Sequence, residues 1–292
     1  MLRSVALLCL AACSLKAQVS DESGRFTFEG RLLGSVNSLG SVTRLDASAG
    51  YLLTRHWSIS FGAPYYFVNP SASTQASSGT SSFNGVGNVF SELQFALPNR
   101  LVNYTSTVTG TAPTGNRDLG LSTGHATADW SNYFERALGR LTPFGEVGIA
   151  NAVSDTQFFI RPYTSYGFVT HVQGGARYRL TRWMNLGGSA YLIAPNGQQT
   201  VVSRVVTVHG PAKAVVPGVA RGLLKQGFET ESVTTGSADI ARDHGFSTFA
   251  TVGVRPSFNV YAGYTRSAQY SLNTVFFGVG FRIRRSLGVG GL

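Results

Sequence analysis

Side chains two residues apart on an extended strand share a face, and at that spacing His125 and Thr127 could serve as base and nucleophile, with Asn132 to orient them. Nucleophilic hydrolysis needs all three groups within hydrogen-bond reach. Asn132 stands an odd number of positions from both partners, so a strand would carry it on the opposite face. A hydrolase is therefore an alternative and not the expectation. His56 falls in a turn, His209 and His244 in a long loop, and His171 reads as a polar residue on a strand face.

Metal chemistry asks for clustered His, Cys or carboxylates. No two histidines stand at ligand spacing, and both cysteines, Cys9 and Cys13, lie in an N-terminal leader, so no metal, thiol chemistry or disulfide framework is expected. Gly85-x-Gly87 could begin a phosphate cradle, but no helix pattern follows and no Lys-Ser/Thr pair is near. It reads as a Gly-rich strand entry, and no cofactor is expected.

What remains is a set of charges at alternating positions: Glu29, Arg31, Arg44, Asp46, Glu92, Asp129, Glu146, Arg177, Arg179 and Arg282. Facing one lumen, rings of charge can tune ion selectivity. Equally, opposed arginines and carboxylates can pair and plug it. Either outcome requires strands that bring these residues to a common interior.

Composition limits what those strands can form. Charged residues make up 13% of the 292, hydrophobic residues 43%, and Gly numbers 35; an average soluble domain carries roughly 25% charge. The net charge of +10 is almost wholly Arg, with Lys only at Lys16, Lys213 and Lys225. Nucleic-acid binders gather such charge on one face or tail. Here it is scattered beside predicted turns, at Arg55, Arg100, Arg136, Arg140, Arg182 and Arg255, so no nucleic-acid partner is expected.

Residues 1–17, MLRSVALLCLAACSLKA, combine a basic start, an apolar run from Val5 to Ala12 and small residues ending at Ala17, the pattern of a secretory signal. Cleavage after Ala17 is favoured, with Leu10-Ala11-Ala12-Cys13 as a competing lipidation signal. The apolar run is too short to span a bilayer, which takes about 20 residues, and no later segment supplies a spanning helix. A membrane-spanning chain without apolar helices has only the closed barrel open to it.

Dyad alternation is the test, and it recurs. From Arg25 to Val36, Phe26, Phe28 and Leu32 oppose Arg25, Thr27, Glu29 and Arg31; from Thr43 to Leu53, Leu45, Ala47 and Tyr51 oppose Arg44, Asp46 and Ser48. WSISFGAPYYFVN alternates across Trp57 to Asn69, with a bulge expected at Pro64 near the membrane rim, because Pro cannot donate to a ladder. Gly85 to Leu97, Val102 to Ala112, His125 to Glu135, Phe144 to Asn151, Ser165 to Leu180, Asn185 to Ala194, Phe246 to Val254, Val260 to Arg266 and Tyr270 to Arg284 complete twelve strands. Ser165 to Leu180 overshoots a bilayer at about 3.3 Å per residue.

Short basic turns alternate with longer loops, as they do in barrels with short periplasmic turns and long extracellular loops. Asn37 to Gly40 is a short exception, and Pro195 to Gly245 is the longest connection, expected either as a hairpin above the barrel or as a constriction within it. Trp57, Tyr65, Phe67, Trp130, Phe134 and Trp183 read as interface girdles.

The stretches SISFGAPYYFVN, GVGNVFSELQFAL, TSTVTGTAPTG with GLSTGHATADWSNYF, and VFFGVGF resemble outer-membrane channel proteins related to the MetA pathway of phenol degradation. They cover about a third of the mature chain. Asn88 replaces the family's acidic residue after Gly-x-Gly, and Phe281 would be the closing aromatic before a tail, SLGVGGL. The resemblance implies a transporter of small, apolar or aromatic solutes.

The expectation is thus an all-β, antiparallel, up-and-down transmembrane barrel of about twelve strands over residues 18–292, in the outer membrane, following a signal peptide over 1–17. Passive passage of small solutes is the expected function. An outer-membrane lipid hydrolase or deacylase and a plugged structural or binding barrel are the alternatives. Expected partners are outer-membrane lipids, the barrel-assembly machinery and a small-molecule solute; the sequence specifies no oligomeric state.

Overall fold

A computed structural model of the chain describes residues 25–72, 81–116, 119, 121–122, 124–153, 163–203, 232–236, 241–255 and 257–285. The leader and most of the longest connection lie outside these residues. Alternating segments become strands: β1 (Phe26–Asn37), β2 (Gly40–Leu52), β3 (Trp57–Pro70), β4 (Phe83–Val86) and β5 (Phe90–Leu97). They are followed by β6 (Asn103–Thr111), β7 (Thr127–Glu135), β8 (Leu141–Val153), β9 (Tyr163–Arg179) and β10 (Met184–Pro195). β11 (Gln199–Ser203), β12 (Ser232–Gly236), β13 (Asp243–Arg255), β14 (Phe258–Ser267) and β15 (Leu272–Arg285) complete the described chain.

Every pairing is antiparallel, and β15 returns to β1, from Phe26 opposite Arg285 to Val36 opposite Val275, so the ring of staves closes. β4 and β5 share one stave and β11 and β12 stand off the ring, leaving the expected twelve staves. At the seam the Phe281 ring lies against Gly30, where a β-carbon would collide with it.

Odd and even positions separate as the pleat requires. Phe28, Leu45, Phe61, Leu93, Trp130, Val172, Phe246 and Val275 all point outward and are exposed. Such an apolar wall, continued around a closed barrel, far exceeds the few hundred Å² that soluble monomers leave exposed, and lipid is the solvent that suits it. Trp57, Phe134 and Trp183 lie toward the end where β1 starts at Phe26 and β15 ends at Arg285; Tyr65, Phe67 and Trp130 lie farther up the wall. This is an outer-membrane barrel, and by the loop-length rule the end with the short turns is periplasmic.

Three local outcomes differ from the sequence reading. The bulge expected at Pro64 lies in the neighbouring stave: between Gly62 opposite Phe90 and Tyr65 opposite Val86, β3 spends two residues and its partner three, Gly87, Asn88 and Val89. The Pro64 carbonyl accepts the Gly87 N–H at 2.8 Å, so the missing proline N–H faces that same side, and the neighbour bulges to accommodate it. Residues around Phe144 form a 13-residue strand, longer than its weak alternation suggested. β7 begins at Thr127, which leaves His125 outside the strand, its ring stacked on Tyr166 at 4.9 Å.

The surplus length of β9 has a partner. β10 pairs with Val169 to Arg179, and above it Tyr163 to Tyr166 pair with β11, which pairs in turn with β12. The described part of the longest connection therefore extends the wall as a hairpin. At the extracellular end Leu39, Val42, Tyr66, Val68, Leu121, Ala241, Tyr270 and Leu272 form a buried cluster, with Phe83 and Leu119 packed against it. Two loop segments, around Leu121 and Ala241, are thus drawn over the mouth by apolar burial.

Candidate functional site: the lumen wall

Register places all ten predicted charges at inward positions. On the β15, β1 and β2 wall, Arg282 Nη2 donates to Glu29 at 2.8 Å, Arg31 Nε lies 3.7 Å from Glu29 and 3.8 Å from Asp46, and Arg44 Nε donates to Asp46. Five predicted residues form one ladder of alternating sign. Its upper rungs are dry, with Asp46 2% and Arg44 7% exposed, whereas the lower Glu29 and Arg282 side chains retain 27% and 29%. The Arg44 guanidinium also lies over the Tyr66 ring, 5.6 Å from its centroid, and Gly87 provides room for that ring, since a β-carbon there would meet it.

A second charged group occupies the β7, β8 and β9 wall. Asp129 Oδ2 lies 2.9 Å from His171 Nε2, and Glu146 Oε1 lies 3.8 Å from His171 Nδ1. The Asp129 and Glu146 side chains keep 37% and 31% of their surface accessible. Nearer the periplasmic end Arg177 Nη2 donates to Glu135, which also accepts the Tyr133 hydroxyl at 3.1 Å. Glu135 is a lumen residue that sequence reading missed, although it stands at even spacing from Asp129. Glu92 accepts a hydrogen bond from the Ser60 hydroxyl at 3.4 Å. Arg179 has inward parity but sits exposed at the rim, its guanidinium donating to the Gly139 carbonyl at 3.0 Å.

An aromatic band runs between the two charged groups and was not anticipated. The rings of Tyr133 and Phe144 lie 5.9 Å apart, those of Phe144 and Phe249 lie 6.5 Å apart, and Phe276 and Leu33 continue the cluster, with Tyr261 against it. These rings lie along the wall because neighbouring strands offer glycine beneath them: Gly175 under Phe144, Gly187 under Phe249 and Gly263 under Phe276. Arg177 sits over the Phe144 ring at 5.6 Å and joins charge to the band.

Hydrolytic geometry is absent among the described residues. Asn132 faces outward and accepts the Tyr104 hydroxyl at 2.6 Å, and Thr127 pairs with Thr111, so the His125 set is not assembled. In the lumen, Ser131 donates to Asp129 at 2.5 Å, and both ring nitrogens of His171 face carboxylates.

No protein-family model matches the chain, and no curated protein is similar enough to match. Solved structures do. The COG4313 outer membrane channel from Pseudomonas putida F1 superposes with a TM-score of 0.54 at 14% identity, over 90% of this chain and 95% of that one. The NanC porin gives 0.49 at 12% identity over 88% and 100%, and the KdgM porin 0.46 at 8% over 87% and 98%. At these identities the likeness to the first concerns the fold: a closed outer-membrane barrel.

Proposed function

We propose that the chain is a passive outer-membrane channel for small solutes, favouring apolar or aromatic ones. The observation that carries this reading is that Glu29, Arg282, Asp129 and Glu146, inside the barrel and flanking an aromatic band, keep 27–37% of their side-chain surface accessible. A barrel plugged by paired charges would bury them as Arg44 and Asp46 are buried. Preference for apolar or aromatic solutes rests on the band from Tyr133 to Phe276 and on the sequence resemblance to phenol-degradation channel proteins. The apolar cluster that holds Leu121 and Ala241 at the mouth supports a gate formed by the extracellular connections, hydrophobic constrictions being one way to gate a pore. Insertion by the barrel-assembly machinery belongs to the same proposal.

The test is uptake into proteoliposomes of two membrane-impermeant anions of similar size, an aromatic sulfonate and a sugar acid. The aromatic anion should enter faster, and the preference should shrink in Phe144→Ala and Phe249→Ala. Absence of flux for both, or equal flux untouched by the two substitutions, would overturn the reading.

A further inference from the structure

Five turns join strands at the periplasmic end, and they share one composition. Four of them carry arginine, at Arg55, Arg100, Arg136 with Arg140, and Arg182, Arg255 ends β13 directly before the fifth, and no turn residue is a carboxylate. Arg55, Arg100, Arg136, Arg140 and Arg182 are exposed and have no ion pair among the described residues.

Beside the arginines stand exposed apolar side chains at the same turns. Trp57 lies two residues from Arg55, Leu101 next to Arg100 with 66% exposure, Leu138 between Arg136 and Arg140, and Trp183 next to Arg182. A guanidinium offers paired donors that match phosphate oxygens, and an adjacent Trp or Leu suits the boundary between headgroup and acyl chain. A soluble polyanion would satisfy the arginines and leave the apolar side chains in water. A lipid satisfies both.

We propose that this collar binds anionic phospholipid headgroups of the periplasmic leaflet and selects them over zwitterionic lipids. Basic residues at a membrane surface attract anionic lipid within a Debye length. The collar therefore sets which lipids surround the lower rim and anchors the barrel at that depth.

Three tryptophans make the test internal, because Trp57 and Trp183 stand in the collar and Trp130 stands higher on β7. A Trp130→Phe chain and a Trp57→Phe/Trp183→Phe chain are refolded into vesicles containing brominated phosphatidylglycerol or brominated phosphatidylcholine, and quenching is compared. The collar tryptophans should report about a fivefold preference for phosphatidylglycerol, one arginine's scale of attraction, which falls at high salt. Trp130 should report near parity. Substituting the five exposed arginines by Gln in the Trp130→Phe chain should bring the collar ratio to parity, with folding verified by heat-modifiable gel mobility. If that variant does not fold, Arg55→Gln/Arg182→Gln removes the two guanidiniums beside the reporters.

Equal ratios at both tryptophan positions, or a collar preference that survives the arginine substitutions, would overturn the proposal. So would a parity ratio combined with arginine-dependent co-sedimentation on peptidoglycan, which would assign the collar to a polymer.

Discussion

The wall of β1, β2, β3 and β15 solves opposite problems at its two ends with the same alternation. Toward its extracellular end Val42, Val68 and Leu272 face inward and are covered by Leu121, Ala241 and Tyr270, so this end is packed like a protein core. Toward the periplasmic end Glu29, Arg31 and Arg282 face inward and remain in contact with water. One ladder crosses the divide: Asp46 lies at its dry end and Glu29 at its wet end. The difference teaches that inward parity alone does not make a pore lining; on this wall the packing that the extracellular loops join sets which rungs stay wet.

The largest expected effect comes from breaking the dry rung. Asp46→Ala leaves Arg44 buried without its carboxylate and should cost about 3–5 kcal/mol, whereas Glu29→Gln on the wet rung should cost less than about 1 kcal/mol. Urea unfolding from vesicles, followed by tryptophan fluorescence, measures both, and equal losses would erase the contrast between the two ends of this wall.

Next is the cap. Leu121 is 3% exposed at the mouth, and Leu121→Ala should remove at least about 2 kcal/mol of packing. Because the loss falls on a loop, it should read out as a larger open fraction in single-channel records, with β-sheet content unchanged.

A smaller effect belongs to the accessible carboxylates beside His171. Asp129→Asn with Glu146→Gln should lower the cation-to-anion permeability ratio by a few-fold, on the scale of about 1 kcal/mol per close charge in water-like surroundings. The smallest concerns the lipid-facing exterior, where Tyr104→Phe removes one outward hydrogen bond to Asn132 and should cost about 0.6 kcal/mol in unfolding.

Much of the wall was legible because a pleat repeats every two residues. Arg44 and Asp46, or Arg177 and Arg179, could be assigned to the interior by parity once Leu45 and Tyr178 were assigned to lipid. Glu135 was legible by the same rule, six positions from Asp129, and was overlooked at a strand end. The aromatic band was not legible. An inward Phe144 or Phe249 contradicts the polar-inside pattern, and its accommodation depends on Gly175 and Gly187, brought alongside only by the closed register. Pro64 signalled an irregularity but not which strand would absorb it, because that depends on the side its missing N–H faces.

The most direct measurement of the central claim is current through purified protein in a planar bilayer, using chains that carry a single cysteine at the wet Glu29 or at the buried Ser35, which is 0% exposed. Both chains should conduct, and a charged, impermeant thiol reagent should change the current promptly in Glu29→Cys and not in Ser35→Cys. A folded barrel that carries no current, or a reagent that acts equally at both positions, would contradict the account.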